Sequence, residues 1–450
     1  MKGKKETVYS MGFSLLSKGV TYFLLLVLAN FFLVEAYGKA TFALNIFYLS
    51  SILTLASGSE ILIPWIMKKK DVRSVFYFML ILGIIINIIG VIVTWNHKWA
   101  MPLAFLVPML VFGNIARSFL QAKYKYHLAN LLGLVYVIIT LIVVILLRNY
   151  GALGIILGYS IAYFTITLLY INLVKSDIKN LLRKVQIKKS SIKAYLKKAM
   201  ITATVALSFS FLAWIDSTIL GWLSTFENVA IYNIASPIAN AISLIPTSIG
   251  FFLLSRTSDS LSNRTKKVFF FKTIRICFTF SLLGAIVITS SSFLIIKYLF
   301  QQYIGSEPFI AILILGMIFY SIYHLIYTYT LGYLHPEKAF TPIIFAAIVN
   351  VVLDIILIPH FGLYGICFAT LIAHFIAFTW LAIRIKILRR FMGIYLLILF
   401  IPLAYFLQIY GLILVPIALA LAFFFRVIKM EDLFTIYNTI KDIIKHPQKI

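Results

Sequence analysis

The run IYLLILFIPLAYFLQIYGLILVPIALALAFFF, residues 394–425, carries no charged side chain. Shorter runs of the same kind, VIITLIVVILL at 137–147 among them, recur along the chain. A helix needs about 20 apolar residues to cross the ~30 Å hydrocarbon core. In lipid the backbone must satisfy its own hydrogen bonds, so such runs form helices. Barrel strands would alternate in polarity, and these runs do not. Composition agrees: 62% of residues are hydrophobic and 12% charged, against roughly 45–50% and 25% in soluble domains. The sequence predicts an all-α polytopic membrane protein. About 14 transmembrane helices are expected, near 8–34, 40–66, 74–95, 99–122, 127–148, 151–174, 199–223, 229–254, 273–296, 308–333, 340–359, 362–382, 391–409 and 411–428.

The opening MKGKKETVYS has the basic flank of a signal peptide, but the apolar stretch after it is far longer than a signal h-region and no A-x-A site follows. It reads as an uncleaved first span. Cys277 and Cys367 fall inside spans, with neither a disulfide framework nor metal-ligand spacing. Core packing is the reading for both.

The net charge of +26 is unevenly placed. With the N-terminus taken as cytoplasmic, Lys39, Lys98, Arg148 and Lys297 fall in odd-numbered loops, and Lys18 and Arg117 fall within spans. The rest of the 40 Lys and Arg sit in even loops, tails or their flanks. This is the positive-inside bias, and it predicts an N-in, C-in multi-pass protein. The basic excess is a topology signal that favours anionic membrane lipid and argues against nucleic acid as a partner. The largest basic block, Lys175–Lys198, has nine Lys or Arg and one acid, Asp177. Ile178, Leu181, Leu182 and Val185 share a helical face there, which predicts an amphipathic helix lying on the inner leaflet. The tail repeats the theme with Leu433, Ile436, Tyr437, Ile440 and Ile444.

The chain also repeats itself. At an offset of 211, Leu120–Phe164 aligns with Leu331–Phe375, pairing Gly151 with Gly362 and Gly154 with Gly365. Each glycine pair sits in a sharp break between apolar runs, RNYGALG and PHFGLYG. A weaker match, at an offset of 192, pairs VEAYGKATFAL with FENVAIYNIAS. Equivalent helices lie six spans apart, an even number, so both halves enter from the same side as parallel repeats. The expected architecture is two six-helix lobes around a central cavity. Residues 1–174 form the N-terminal lobe, 175–198 a cytoplasmic linker and 199–382 the C-terminal lobe. An added helix pair occupies 383–428, and 429–450 is a cytoplasmic amphipathic tail.

NVVLDIILIPHFGLYGICFATLIAHF and AYGKATFAL together resemble the polysaccharide (O-antigen, capsule or exopolysaccharide) flippase family of the multidrug/oligosaccharidyl-lipid/polysaccharide exporter superfamily. The resemblance covers essentially the whole chain. It implies that an undecaprenyl-pyrophosphate-linked oligosaccharide is moved from the inner to the outer leaflet of the bacterial cytoplasmic (inner) membrane by alternating access. A polysaccharide polymerase and other assembly proteins would be further partners. It implies no cofactor and leaves coupling to a proton or sodium gradient open.

Polar groups at membrane depth usually face a cavity or a partner. Lys18 lies near the middle of the first span and is either a contact for an anionic head group or one half of an ion pair with Glu60. Arg117, toward the cytoplasmic end of span 4, suits phosphate by its planar fork or snorkels to the surface. Asp216, in FLAWIDSTILGW, is a coupling-ion site, a sugar-hydroxyl acceptor or a buried structural acid. Asp354 is read as support for the following turn, and His374 as a packing residue. Tyr320, Tyr323, His324 and Tyr327 share one face of span 10, either a sugar-stacking stripe or belt and packing residues; Tyr329 and Tyr333 fit interfacial belt plus packing. Pro64, Pro237 and Pro246 are hinge candidates beside a lateral gate, or ordinary kinks.

Three function classes compete. A drug/cation antiporter of the same superfamily would rely on acidic cavity residues, and a lysine in span 1 counts against it. A lipid II flippase would carry a cavity richer in arginine. An enzyme needs an outer platform, yet the longest outer loop is about residues 297–307, and no H-E-x-x-H, G-x-S-x-G or phosphate-binding glycine loop occurs. The sequence therefore predicts a transporter with no catalytic residues and no metal site.

Overall fold

A computed structural model describes residues 2–54, 59–68, 70–93, 98–182, 187–244, 246–247, 262–333, 337–386, 396–425 and 427–432. The tail face from Leu433 to Ile444 and Val185 of the linker lie outside the described residues, as do the side chains of Glu60 and Pro64. The described chain is all-helical and multi-pass, and it divides into two compact units, Met1–Thr218 and Ile219–Lys445.

Unit 1 opens with α1 (Lys2–Phe31) and α2 (Val34–Leu53), joined through Phe32 and Leu33. Within the second span expected at 40–66, the described residues form α2 and α3 (Ser59–Met67). Then follow α4 (Val72–Val93), α5 (Met101–Ala122), α6 (Tyr126–Leu146), α7 (Gly151–Leu173) and α8 (Lys175–Leu182). The core gathers Phe76 and Met79 of α4, Val111, Ile115 and Leu120 of α5, and Ile166 and Tyr170 of α7. Lipid tails are as apolar as these side chains, so packing rather than water exclusion holds such helices together. Small residues let the backbones approach. A Cβ on Gly113 of α5 would meet Thr167 Oγ1 of α7 at 2.8 Å.

The basic linker differs from its expected place on the membrane surface. Ile178 and Leu181 of α8 are buried in the same core as α4 and α5, while Leu182 is exposed. Charged contacts fix the helix there. Lys123 at the end of α5 pairs with Asp177, and Arg73 of α4 donates to the Asn180 carbonyl at 2.7 Å. Asp71 caps α4 by accepting from Ser74, and the Ser74 hydroxyl accepts from the Lys188 amide at 2.8 Å. Burial pushes the Asp71 carboxyl up. Hydrogen bonds from Ser74 and Ser191 and the nearby Lys188 charge outweigh that and hold it below the usual carboxylate range. The amphipathic face is real, but its partner is protein.

The helix α9 (Lys189–Leu223) has 35 residues. At 1.5 Å per residue it is ~52 Å long, so it starts inside the basic block rather than at 199. In unit 2, α10 (Phe226–Asn240) begins 192 residues after α2, the offset of the weaker repeat. Thr225 caps it, accepting from the Asn228 amide. Pro237 lies inside α10, just before the chain tightens to a 3-10 turn at Ala241–Ser243. Pro246 is buried. Then come α11 (Asn263–Leu299), longer than the expected span 9, α12 (Glu307–Tyr333), α13 (Glu337–Phe361) and α14 (Leu363–Arg384). The last described helices are α15 (Phe400–Leu407) and α16 (Leu414–Phe424). Cys277 and Cys367 are both buried free thiols.

The two repeated breaks adopt one geometry. Gly151 has φ 56 and ψ −132, and Gly362 has φ 55 and ψ −127. Side-chain-bearing residues rarely adopt that conformation. Three residues on, a Cβ at Gly154 would run into the Leu147 carbonyl, and one at Gly365 into the Leu357 carbonyl. The same turn occurs a third time between α15 and α16. Gln408 has φ 48 and ψ −133, and a Cβ on Gly411, again three residues on, would meet the Ala404 carbonyl at 2.8 Å. Gln408 therefore holds a glycine conformation with a side chain attached, at a cost of about 1–3 kcal/mol. Gln408→Gly should relieve it and raise the melting temperature of the detergent-solubilised protein; an unchanged or lower value would show that no strain is held there.

Candidate functional site

Unit 1 carries an aromatic cleft at membrane depth. Tyr48 of α2 stacks on Trp214 of α9, with centroids 5.1 Å apart and planes 25° apart. The Tyr48 and Tyr136 hydroxyls are hydrogen-bonded. Tyr136 of α6 meets Tyr159 and Tyr163 of α7 edge-on, at 6.4 and 6.2 Å. All five side chains are half-buried. Arg117 of α5 is exposed, while Ala116 and Ser118 beside it are buried. Gly113, one turn earlier on the same face, points its missing Cβ at the Tyr163 hydroxyl, 3.4 Å away. Arg117 thus sits one turn beyond the point where α5 closes on Thr167 and Tyr163 of α7.

Lys18 is half-buried on α1, on the face of Tyr22 and Ala29. Glu60 is the second residue of α3. Asp216 is buried in α9 with Ser217 and Thr218. One turn of helix places Trp214 and Thr218 together, and Thr218 donates to the Trp214 carbonyl at 3.0 Å.

In unit 2 the tyrosine stripe of α12 faces α14. The Tyr323 hydroxyl and His374 Nδ1 are 3.2 Å apart, and both side chains are buried. Tyr320 packs against Tyr323 at 5.4 Å and against the His374 ring at 5.5 Å. His324 contacts Tyr320 and Tyr327. Gly316 allows the approach, since its Cβ would meet Leu371 Cα at 3.3 Å and His374 Cδ2 at 3.4 Å. Tyr323 and Tyr327 are buried, whereas Tyr320 and His324 are half-buried. The open edge of the stripe is therefore Tyr320 with His324. Tyr329 stacks on Phe270 of α11 with centroids 3.9 Å apart, so it packs inside the unit.

Asp354 lies in the same unit. It is fully buried on α13, eight residues before the Gly362 turn. Asn350, one turn earlier on the same face, is equally buried, and neither polar atom of its amide has a hydrogen-bond partner among the described residues. The spacing of Asn350 and Asp354 in NVVLD was the sequence signal for this pair. The aromatic cleft of unit 1 had a weaker one, Tyr159 and Tyr163 one turn apart.

The helical architecture defines a class: a multi-pass, all-α membrane protein with internally repeated hairpins. Its fold is shared with transporters of the MOP superfamily. The structure of the lipid II flippase MurJ in an inward closed conformation matches with TM-score 0.74 and 17% identity, over 95% of this chain and 99% of that one. An inward-facing multidrug resistance MATE family transporter matches with TM-score 0.60 and 15% identity, over 84% of this chain and 96% of that one. A MATE structure in a bent conformation gives TM-score 0.55 at 17% identity, over 87% and 99% of the two chains. An uncharacterized membrane protein of Methanocaldococcus jannaschii is 28% identical over 171 residues, 37% of this chain and 34% of that one. The chain thus spans about a third of that relative's length. No family model matches the sequence.

Proposed function

We propose that this chain is a flippase. It carries an undecaprenyl-pyrophosphate-linked oligosaccharide from the inner to the outer leaflet of the cytoplasmic membrane, for cell-surface polysaccharide biosynthesis. The observation that carries the reading is the near full-length fold match to a protein named as a lipid II flippase. Two cationic groups on membrane-spanning helices of unit 1, half-buried Lys18 and exposed Arg117, support it, because a pyrophosphate head group is anionic and is attracted to them.

In this reading the sugar head group crosses in the water-filled interior while the polyprenyl chain stays in lipid. A ligand drives the change of state only by binding the two states differently. Pro64, Pro237 and Pro246 serve as hinges of the gate, and Tyr320 with His324 contacts sugar. Buried carboxylates can take up a proton or a cation, which assigns coupling to Asp216 and to Asp354 beside Asn350. The protein is a transporter and not an enzyme, N-in and C-in, with anionic lipid at its basic face. A polymerase and other assembly proteins receive its product.

A strain lacking the gene should lose surface polysaccharide and accumulate lipid-linked precursor in the inner leaflet. Lys18→Arg should restore part of the export and Lys18→Ala much less. Normal surface polysaccharide with lost resistance to cationic drugs would overturn the reading in favour of an antiporter, which the MATE-like fold also accommodates. Accumulation of lipid II with arrest of cell-wall growth would assign the chain to lipid II instead.

A further inference from the structure

We propose that the aromatic cleft of unit 1 is a carbohydrate site that seats one pyranose ring of a phosphorylated sugar, with Arg117 taking the phosphate. The proposal deepens the flippase reading and rests on it for the identity of the physiological ligand. The site is argued from the side chains themselves.

A pyranose presents an apolar C–H face and a rim of hydroxyls. Tyr48 and Trp214 are stacked with planes 25° apart, which gives a flat aromatic wall. Tyr136 and Tyr163 stand nearly perpendicular to each other, at 87°. Such a corner offers ring faces and phenolic hydroxyls in different directions, the two functions a sugar needs. The side chains belong to α2, α6, α7 and α9, so four helices converge on one place. The five rings are half-buried, whereas Tyr195 and Phe76 of the same unit are closed off.

Arg117 sets the charge preference. It is exposed one turn beyond Gly113, whose Cβ position lies 3.4 Å from the Tyr163 hydroxyl, so its positive charge disfavours a cationic ligand beside the rings and favours an anionic one. A planar fork of N–H donors fits two phosphate oxygens at once, where lysine offers a point charge. Gly113 keeps the approach open. Any side chain there would press on Thr167 and on the Tyr163 hydroxyl, narrowing the groove between Arg117 and the rings.

The test is equilibrium binding to the purified full chain in detergent, followed by tryptophan emission. The probes are glucose 1-phosphate and N-acetylglucosamine 1-phosphate, with glucose and inorganic phosphate as separate arms. A sugar 1-phosphate should quench emission saturably, and the quenched component should vanish in Trp214→Phe. Arg117→Gln should weaken sugar-phosphate binding about tenfold and leave glucose unchanged. Tyr163→Phe should weaken both sugar phosphate and glucose severalfold, with melting temperature held as the check on folding. Absence of saturable quenching by either sugar phosphate overturns the site. So does inorganic phosphate binding as tightly as the sugar phosphates, which would leave an anion site at Arg117 alone. The two readings fail separately. If the deletion strain accumulates precursor yet the purified protein binds neither sugar phosphate, the cleft falls and the flippase stands. If the purified protein binds as expected but the strain exports normally, the flippase falls and the site stands.

Discussion

Gly365→Ala should cost the protein about 3 kcal/mol, the range of severe overpacking, and sharply lower its yield of folded material. The added methyl group would run into the Leu357 carbonyl, with the Leu357 carbonyl carbon 2.6 Å and the Ile358 nitrogen 3.0 Å away. These are backbone atoms, so no side-chain rotation relieves the clash. The hairpin between α13 and α14 must open, and Ile366, Ala369 and Ala373, all buried, shift with it. Thermal unfolding in detergent measures the effect. Gly133→Ala is the control. Nothing lies within 4 Å of its Cβ position in the middle of α6, so it should gain about 0.5–1 kcal/mol of helix propensity. If both variants melt like the wild type, the hairpin is wider than described.

The second large effect is at Asp432. Its carboxylate is 1% exposed and accepts from Arg275 Nε at 2.9 Å and Nη2 at 3.0 Å, with the Lys429 amide at 3.1 Å. Asp432→Ala leaves the half-buried Arg275 without its counter-ion and should destabilise unit 2 by about 3 kcal/mol. Replacing both partners, Arg275→Met with Asp432→Leu, should recover most of that, because the pair's own desolvation is then removed too. Burial pushes the Asp432 carboxyl up, but the bonds from Arg275 and Lys429 and the Lys272 charge prevail and hold it below its ordinary value of 3.8. A depressed folded pKa gives stability that is complete above the unfolded value and lost as pH falls through the folded one. Unfolding of the wild type should therefore steepen below about pH 4. Asp432→Asn should flatten that acid limb. Identical acid limbs in the two proteins would show that the ion pair contributes nothing to stability.

The sequence carries the hairpin at Gly151 and its copy at Gly362 openly, because only glycine adopts that backbone cheaply and both positions keep it. The third turn falls at the expected break between 391–409 and 411–428, but its likeness to the other two is hidden for the converse reason. Gln408 takes the glycine conformation, and the one glycine nearby, Gly411, occupies the close-approach position instead. Periodicity likewise finds which residues of α8 share a face, Ile178 and Leu181 among them, but not what covers that face. The contacts that decide it, Arg73 to Asn180 and Lys123 to Asp177, join residues 107 and 54 positions apart. The aromatic cleft is hidden by the same distance. Tyr48, Tyr136 and Trp214 are each unremarkable on their own helices, and only the helix packing of unit 1 makes them neighbours. His374 shows the limit from the other side: as a lone histidine it reads as packing, and its bond to Tyr323 bears that out while adding a partner.

The thrice-used turn bears on how such a chain grows. A hairpin that closes on its own carbonyls returns the polypeptide to the face it left. Copying one whole hairpin therefore changes the number of crossings without moving either end to the other compartment. Topology is then conserved under duplication, and the basic segments that orient the protein keep their side. The α15–α16 pair has the form of such an increment, built on the same backbone turn with Gln408 where the others have glycine.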